Sequence, residues 1–92
     1  MKHASLKTLD CIEDILTRLR KYKSLKEKQK GIFYKGSQAF IHFHEDLKGV
    51  FADLKIKNEW ERFLVSTKPG KERFLKKVHK MIQKNEITYT AR

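Results

Sequence analysis

The sequence predicts an α+β fold: a two-layer sandwich in which an antiparallel sheet of about four strands packs against an N-terminal helix and a C-terminal helix. Three observations predict it. Apolar residues recur at helical spacing near both ends, the centre alternates with a period of two, and short turn signals separate the alternating runs.

Leu6, Leu9, Ile12, Ile15, Leu16, Leu19 and Tyr22 form one helical stripe, which predicts a helix over about 5–21. Ser5 is its expected N-cap. Asp10, Glu13 and Asp14 precede Arg18, Arg20 and Lys21, an order that complements the helix dipole. From Arg18 to Lys35 there are eight basic residues and one acid, Glu27, and Lys23 to Lys30 holds one apolar side chain, Leu25. That stretch reads as a solvated linker, with a phosphate-contacting arm as its alternative.

The sheet is expected over 31–65. Gly31–Lys35 reads as a first strand and Gly36-Ser37 as a turn. Ala39, Ile41 and Phe43 then alternate with Phe40, His42 and His44. Glu45 to Gly49 makes a polar connection. Val50, Ala52, Leu54 and Ile56 alternate with Phe51, Asp53 and Lys55, the pattern of a half-buried strand. After a turn at Lys57-Asn58-Glu59, Trp60 to Val65 forms a fourth strand whose inward face the pattern leaves open. Ser66 or Thr67 caps a last helix over about 69–84, with Pro69 in its first turn. Phe74, Leu75, Val78, Met81 and Ile82 form its apolar stripe, and Arg73, Lys76, Lys77, Lys80 and Lys84 its opposite, wholly basic face. Residues 85–92 read as a polar tail, with Ile87-Thr88-Tyr89 a candidate edge strand.

Ninety-two residues make one domain with one modest core, too small for a deep substrate cavity beside a cofactor domain. Lys and Arg number 22 against 11 acids, a net charge of +11 that attracts polyanions. A single cysteine, Cys11, forms no internal disulfide and fits a reducing compartment. No apolar run suffices for a signal peptide or a membrane span, so a cytoplasmic protein without membrane contact is expected.

Parity places a polar constellation on the sheet face away from the helices. If Ala39, Ile41 and Phe43 point at the helices with Val50, Ala52, Leu54 and Ile56, then Phe40, His42 and His44 share the second face with Phe51, Asp53 and Lys55. The tightest register sets His42 opposite Asp53 and His44 opposite Phe51; a shift of two sets His44 opposite Asp53. A two-residue turn then adds Trp60 and Arg62. A His–Asp pair can orient an imidazole as a general base. Two histidines at i, i+2 can also ligate a metal, with Glu45 or Asp46 as a third ligand. The plainer reading is a wet sheet face whose His–Asp pair sets strand register.

Two patterns are excluded. His42-Phe43-His44-Glu45-Asp46 matches the His-x-His-x-Asp opening of metallo-β-lactamase-like hydrolases, but Leu47 stands where those need another histidine, and the chain is far too short. Lys35-Gly36 followed by Ala39-Phe40-Ile41-His42-Phe43 approximates an RNA-recognition-motif signature. One residue too many follows the glycine, and Gly36-Ser37 leaves no space for the helix that fold needs. Base stacking on Phe40, Phe51 and Trp60 remains available chemistry.

The run Phe33-Tyr34, Ala39 to Asp46, Gly49 and Ala52-Asp53-Leu54-Lys55 resembles small uncharacterised bacterial proteins built around a Phe-His-Phe-His-Glu-Asp core followed by Ala-Asp. The resemblance covers the central half of the chain and implies no activity. The leading expectation is a non-enzymatic, basic binding module with nucleic acid as its candidate partner, using Arg73, Lys76, Lys77, Lys80 and Lys84 and no cofactor. The alternatives are a small enzyme or metal site using His42, His44 and Asp53, and a homodimer pairing through the open sheet face.

Overall fold

The structure, a computed structural model, describes residues 2–90, with side chains described as far as Ile82. Over the described residues it is α+β, with three helices and a six-stranded antiparallel sheet that does not close. In chain order the elements are β1 (Lys2–His3), α1 (Leu6–Cys11), α2 (Glu13–Arg20), β2 (Leu25–Gln29), β3 (Ile32–Lys35), β4 (Gln38–Asp46), β5 (Gly49–Ile56), β6 (Glu59–Leu64) and α3 (Lys68–Thr90). No helix among the described residues is long and apolar enough to cross a membrane.

The sheet order is β2-β3-β4-β5-β6, with β1 also paired to β4. β4 is the long central strand. Its 38–41 portion pairs with β3, and Lys2 and His3 pair with Glu45 and His44 further along. β1 therefore extends the line of β3, and β5 takes the opposite edge.

The expected N-terminal helix is divided. Ile12 adopts φ −115°, ψ 29°, and the amides of Ile12 and Ile15 close three-residue turns on Leu9 and Ile12. The two segments have separate anchors. The Ser5 amide of the α1 cap donates to Glu45 on β4 at 2.7 Å. Beyond the break, Lys71 pairs with Asp14 at 2.8 Å, and the Tyr22 hydroxyl meets His79 at 3.1 Å. The apolar stripe survives the break: Leu9, Ile12, Ile15, Leu16 and Leu19 are all buried, and Leu6 alone is exposed.

The expected linker over 22–30 is instead largely strand β2. Its alternation is hidden because every side chain but Leu25 is charged or polar, as suits an edge strand that must not recruit another sheet. Its single acid does three jobs: Glu27 takes two hydrogen bonds from Arg20, at 2.6 and 3.1 Å, and one from the Gly31 amide at 2.9 Å. Gly31 holds φ +84°, a turn position that favours glycine, and a Cβ there would also press on the terminal methyl groups of Leu9 at 2.8 Å. β4 continues through the expected polar connection to Asp46, leaving only Leu47-Lys48 as the turn.

The tail expected over 85–92 is largely helix: α3 runs on to Thr90, where no glycine or proline interrupts it, so no edge strand forms at 87–89. Ala91 and Arg92 lie outside the described residues. At the start of α3, Thr67 accepts from the Gly70 amide at 3.2 Å as the expected cap. A Cβ on Gly70 would collide with the Leu64 carbonyl, so glycine lets the helix start sit directly on β6.

One core joins helices and sheet. Leu9, Ile15, Leu16, Leu19, Phe33, Ile41, Phe43, Ala52, Leu54, Phe63, Phe74, Val78 and Ile82 are buried in a single cluster. Phe74 meets Phe43 edge-on at 6.0 Å and Phe63 at 5.6 Å. The β6 segment thus turns Phe63 and Val65 inward and leaves Trp60 45% exposed. A register shift in β3–β4 falls at Phe40, opposite Phe33 and Tyr34. This bulge breaks the alternation: Phe40 is buried with its neighbour Ile41 and joins the core. The expected placement of Phe40 as an open stacking surface is therefore corrected.

Candidate functional site

The alternation of β4, β5 and β6 gathers a second row of side chains on the sheet. The register pairs His42 with Asp53, His44 with Phe51, Asp53 with Arg62 and Lys55 with Trp60. This is the tighter of the two registers open from parity. The β5–β6 loop has two residues, Lys57 and Asn58, with φ 51° and 72°, which is the backbone of a type I′ hairpin turn. That loop length brings Trp60 and Arg62 onto the histidine row.

Asp53 sits at the centre and is 7% exposed. Arg62 grips both its oxygens, Nε to Oδ1 at 2.7 Å and Nη2 to Oδ2 at 2.9 Å. His44 Nδ1 lies 3.1 Å from Asp53 Oδ2, within ion-pairing distance but outside hydrogen-bond alignment. The closest histidine contact of Asp53 is therefore diagonal, to His44, although the register sets His42 directly across. Burial works to raise the Asp53 carboxyl, but the hydrogen bonds and charge of Arg62, with the two histidines, hold it below its ordinary value.

The structure adds a residue that sequence pattern does not reveal. β1 brings His3 opposite His44, and their rings lie 4.8 Å apart. His3 is 6.0 Å from His42, and His42 is 6.2 Å from His44, measured between ring centroids. One nitrogen from each of His3, His42 and His44 can be chosen so that all lie within 4.8 Å of one another. Tetrahedral coordination at about 2.0–2.1 Å needs nitrogens about 3.3 Å apart, so the cluster requires a small inward movement. The exposed His3, on a two-residue strand, is the member free to make it.

Two further properties suit ligation. His42 Nε2 is buried with no hydrogen-bond partner, an orphaned polar atom that a protein normally satisfies. Burial, reinforced by the neighbouring histidines, pushes the imidazole of His42 below its ordinary value. Burial does the same to His44, where His3 and Arg62 add to it and Asp53 opposes it. Neutral imidazoles are the ligating form. Asp53 faces His44 as outer carboxylates face metal-bound histidines, orienting the ring while the other nitrogen points away. Its oxygens are committed to Arg62, so Asp53 positions and does not ligate. Glu45, a candidate third ligand by sequence, caps Ser5, and Asp46 accepts from the Lys48 amide at 2.7 Å.

The basic helix face is a separate feature. Arg73, Lys76 and Lys80 are exposed and Lys77 half-buried on α3; the Lys84 side chain lies outside the described residues. Among the described residues, none of Arg73, Lys76, Lys77 and Lys80 has a carboxylate within ion-pairing distance. The helix packs on the apolar face of the sheet, through Phe74 on Phe43 and Phe63, so this patch and the histidines belong to different surfaces.

No family model matches the chain, and neither a curated protein nor a solved structure matches it.

Proposed function

We propose that this protein is a metal-binding module that holds a divalent transition-metal ion on its sheet face through His3, His42 and His44. The observation that carries the reading is the buried, unpartnered Nε2 of His42 inside a three-histidine cluster. In this reading the fold is a two-layer sandwich, helices on one face and the metal on the other. Three imidazoles suit zinc, copper or nickel and leave a fourth position for water or an anionic ligand. That open position is what a Lewis-acid centre uses to activate water or polarise an oxygen. Asp53 and Arg62 act as the support that fixes His44.

Cobalt(II) titration monitored by its visible absorption, with zinc competition by calorimetry, tests the proposal. One ion should bind per chain, and His42→Ala should weaken binding at least about tenfold while circular dichroism stays unchanged. Asp53→Asn, which alters the carboxylate 3.1 Å from His44 Nδ1, should weaken it by roughly ten- to a hundredfold at most. Equal zinc affinity in the wild type and in a His3→Ala/His42→Ala double variant overturns the reading.

A second reading has its own support. The cations Arg73, Lys76, Lys77 and Lys80, which have no ion-pair partner among the described residues, suit contact between α3 and a nucleic-acid backbone. Lys76→Glu/Lys77→Glu/Lys80→Glu should then abolish oligonucleotide binding in a mobility-shift assay, with steep salt dependence in the wild type. Unchanged binding removes this footprint.

A further inference from the structure

At the end of the sheet beyond Trp60, the cavity lined by Lys35, Gln38, Ala39, Phe40, Lys55, Lys57 and Asn58 has a volume of about 270 Å3. Its charged side chains are all lysines. Among the described residues no carboxylate lies within ion-pairing distance of Lys35, Lys55 or Lys57, whereas Lys30 and Lys71 each hold an aspartate at 2.8 Å. Glu59 and Glu61 fall on the row opposite Trp60 and Arg62 along β6; they share a neighbouring depression with Lys57 and do not line this cavity.

Two of the three ammonium groups are seated on aromatic rings. Lys35 Nζ stands 5.5 Å from the centre of the Phe40 ring, and Lys55 Nζ stands 5.7 Å from that of Trp60. Such seating holds a cation in place without neutralising it. Phe40 takes its position from the β4 bulge, so an irregularity of the sheet builds part of the cavity wall. The third lysine occupies a strained backbone position. Lys57 holds φ 51° in a turn whose central residues favour asparagine or glycine, and only the next position, Asn58, has a favoured residue. A lysine is thus kept at the cavity rim against the local backbone preference. Gln38 and Asn58 add amide donors to the lining.

We propose that this cavity is an oxoanion site that takes a small phosphorylated ligand through Lys35, Lys55 and Lys57. A concave surface lined by one sign of charge concentrates a counter-ion more strongly than the same charges spread over a convex face. Three ammonium groups match a pyrophosphate-type group carrying several negative charges better than a single phosphodiester. The proposal stands apart from the metal reading. Trp60 links the two places, its ring 5.1 Å from that of His42 and beneath the Lys55 ammonium. As the only tryptophan, it can report on both.

The test is calorimetric titration of EDTA-treated protein with inorganic pyrophosphate, monophosphate and sulfate, at low and near-physiological salt, with Trp60 fluorescence followed in parallel. Pyrophosphate should bind with one-to-one stoichiometry, more tightly than sulfate, and should alter Trp60 emission. Lys55→Gln and Lys57→Asn should each weaken it about tenfold, the loss expected for one charge-assisted contact. Lys57→Asn also suits the turn better, so lost binding in a protein of raised melting temperature separates the site from the fold. Lys48→Gln, on the exposed turn between β4 and β5, removes the same charge elsewhere and should change little. Equal weakening in Lys48→Gln, or loss of all binding at near-physiological salt, overturns the proposal in favour of diffuse surface charge. A short oligonucleotide that outcompetes pyrophosphate at the cavity overturns the small-ligand assignment. Because the protein is metal-free, failure here leaves the histidine site untouched, and failure of the metal titration leaves this one standing.

Discussion

The two faces of the sheet solve opposite problems with the same strands. Facing the helices, Ile41, Phe43, Ala52, Leu54 and Phe63 are all buried in one cluster with apolar residues from all three helices. The contacts on this side account for the fold without reference to a ligand. On the second face, His42, His44 and Asp53 are also largely enclosed, yet they are polar, and two ring nitrogens lack an aligned hydrogen-bond partner. A buried polar atom without a partner costs about 1–3 kcal/mol, and a face that served only to be wetted would not enclose it. The difference separates what the strands need in order to fold from what they hold in addition.

Substitutions can break this comparison in a graded way. The largest effect should come from the helix side. Phe74→Ala empties the position between Phe43 and Phe63 and should cost about 3–5 kcal/mol by chemical denaturation. A loss below about 1 kcal/mol would mean that α3 does not carry the core. Next is the support of the histidine row. Arg62→Leu strips the buried Asp53 of its bidentate partner. Since the arginine side chain is 50% exposed and water can partly replace it, the cost should be about 1–2 kcal/mol, well below that of breaking a fully buried pair. A neutral result would show that Asp53 takes its stability from His44 instead.

The smallest effect is the dependence on pH. In metal-free protein the imidazoles of His42 and His44 lie below their ordinary value, so the unfolded chain takes up protons first as pH falls. Stability should therefore be complete above about pH 6.5 and decline as pH drops through the lowered folded values. The groups facing this pair are His3 on β1, Asp53 on β5 and Arg62 on β6. His42→Leu should flatten the decline in melting temperature between neutral and mildly acidic pH. An unchanged slope would assign the dependence to other groups.

Both stripes that became buried helix faces are visible as apolar spacing, and parity narrows the pairing of β4 with β5 to two registers, of which the structure has the tighter. The two missed strands fail for different reasons. β2 carries almost no apolar side chains to alternate, and β1 is two residues long, too short to show any period. The histidine site was therefore legible by two of its three members. His42 and His44 announce themselves at i, i+2, whereas His3 is remote in the chain and reaches them only because β3 leaves part of the β4 edge free. Phe40 fails in the other direction: alternation is sound until a bulge interrupts it, and nothing in the residue types marks where the bulge falls.

By itself the sequence determined the α+β class, the buried stripes, the strand parity and the excess of positive charge. These depend on residue type and local period, which the hydrophobic effect converts into burial wherever the chain packs. Tertiary structure alone decided that β1 delivers His3, that Arg62 holds Asp53 against His44, and that Lys35, Lys55 and Lys57 share one cavity. Those juxtapositions arise from hydrogen-bonded register and loop length between distant segments, and local composition does not encode either.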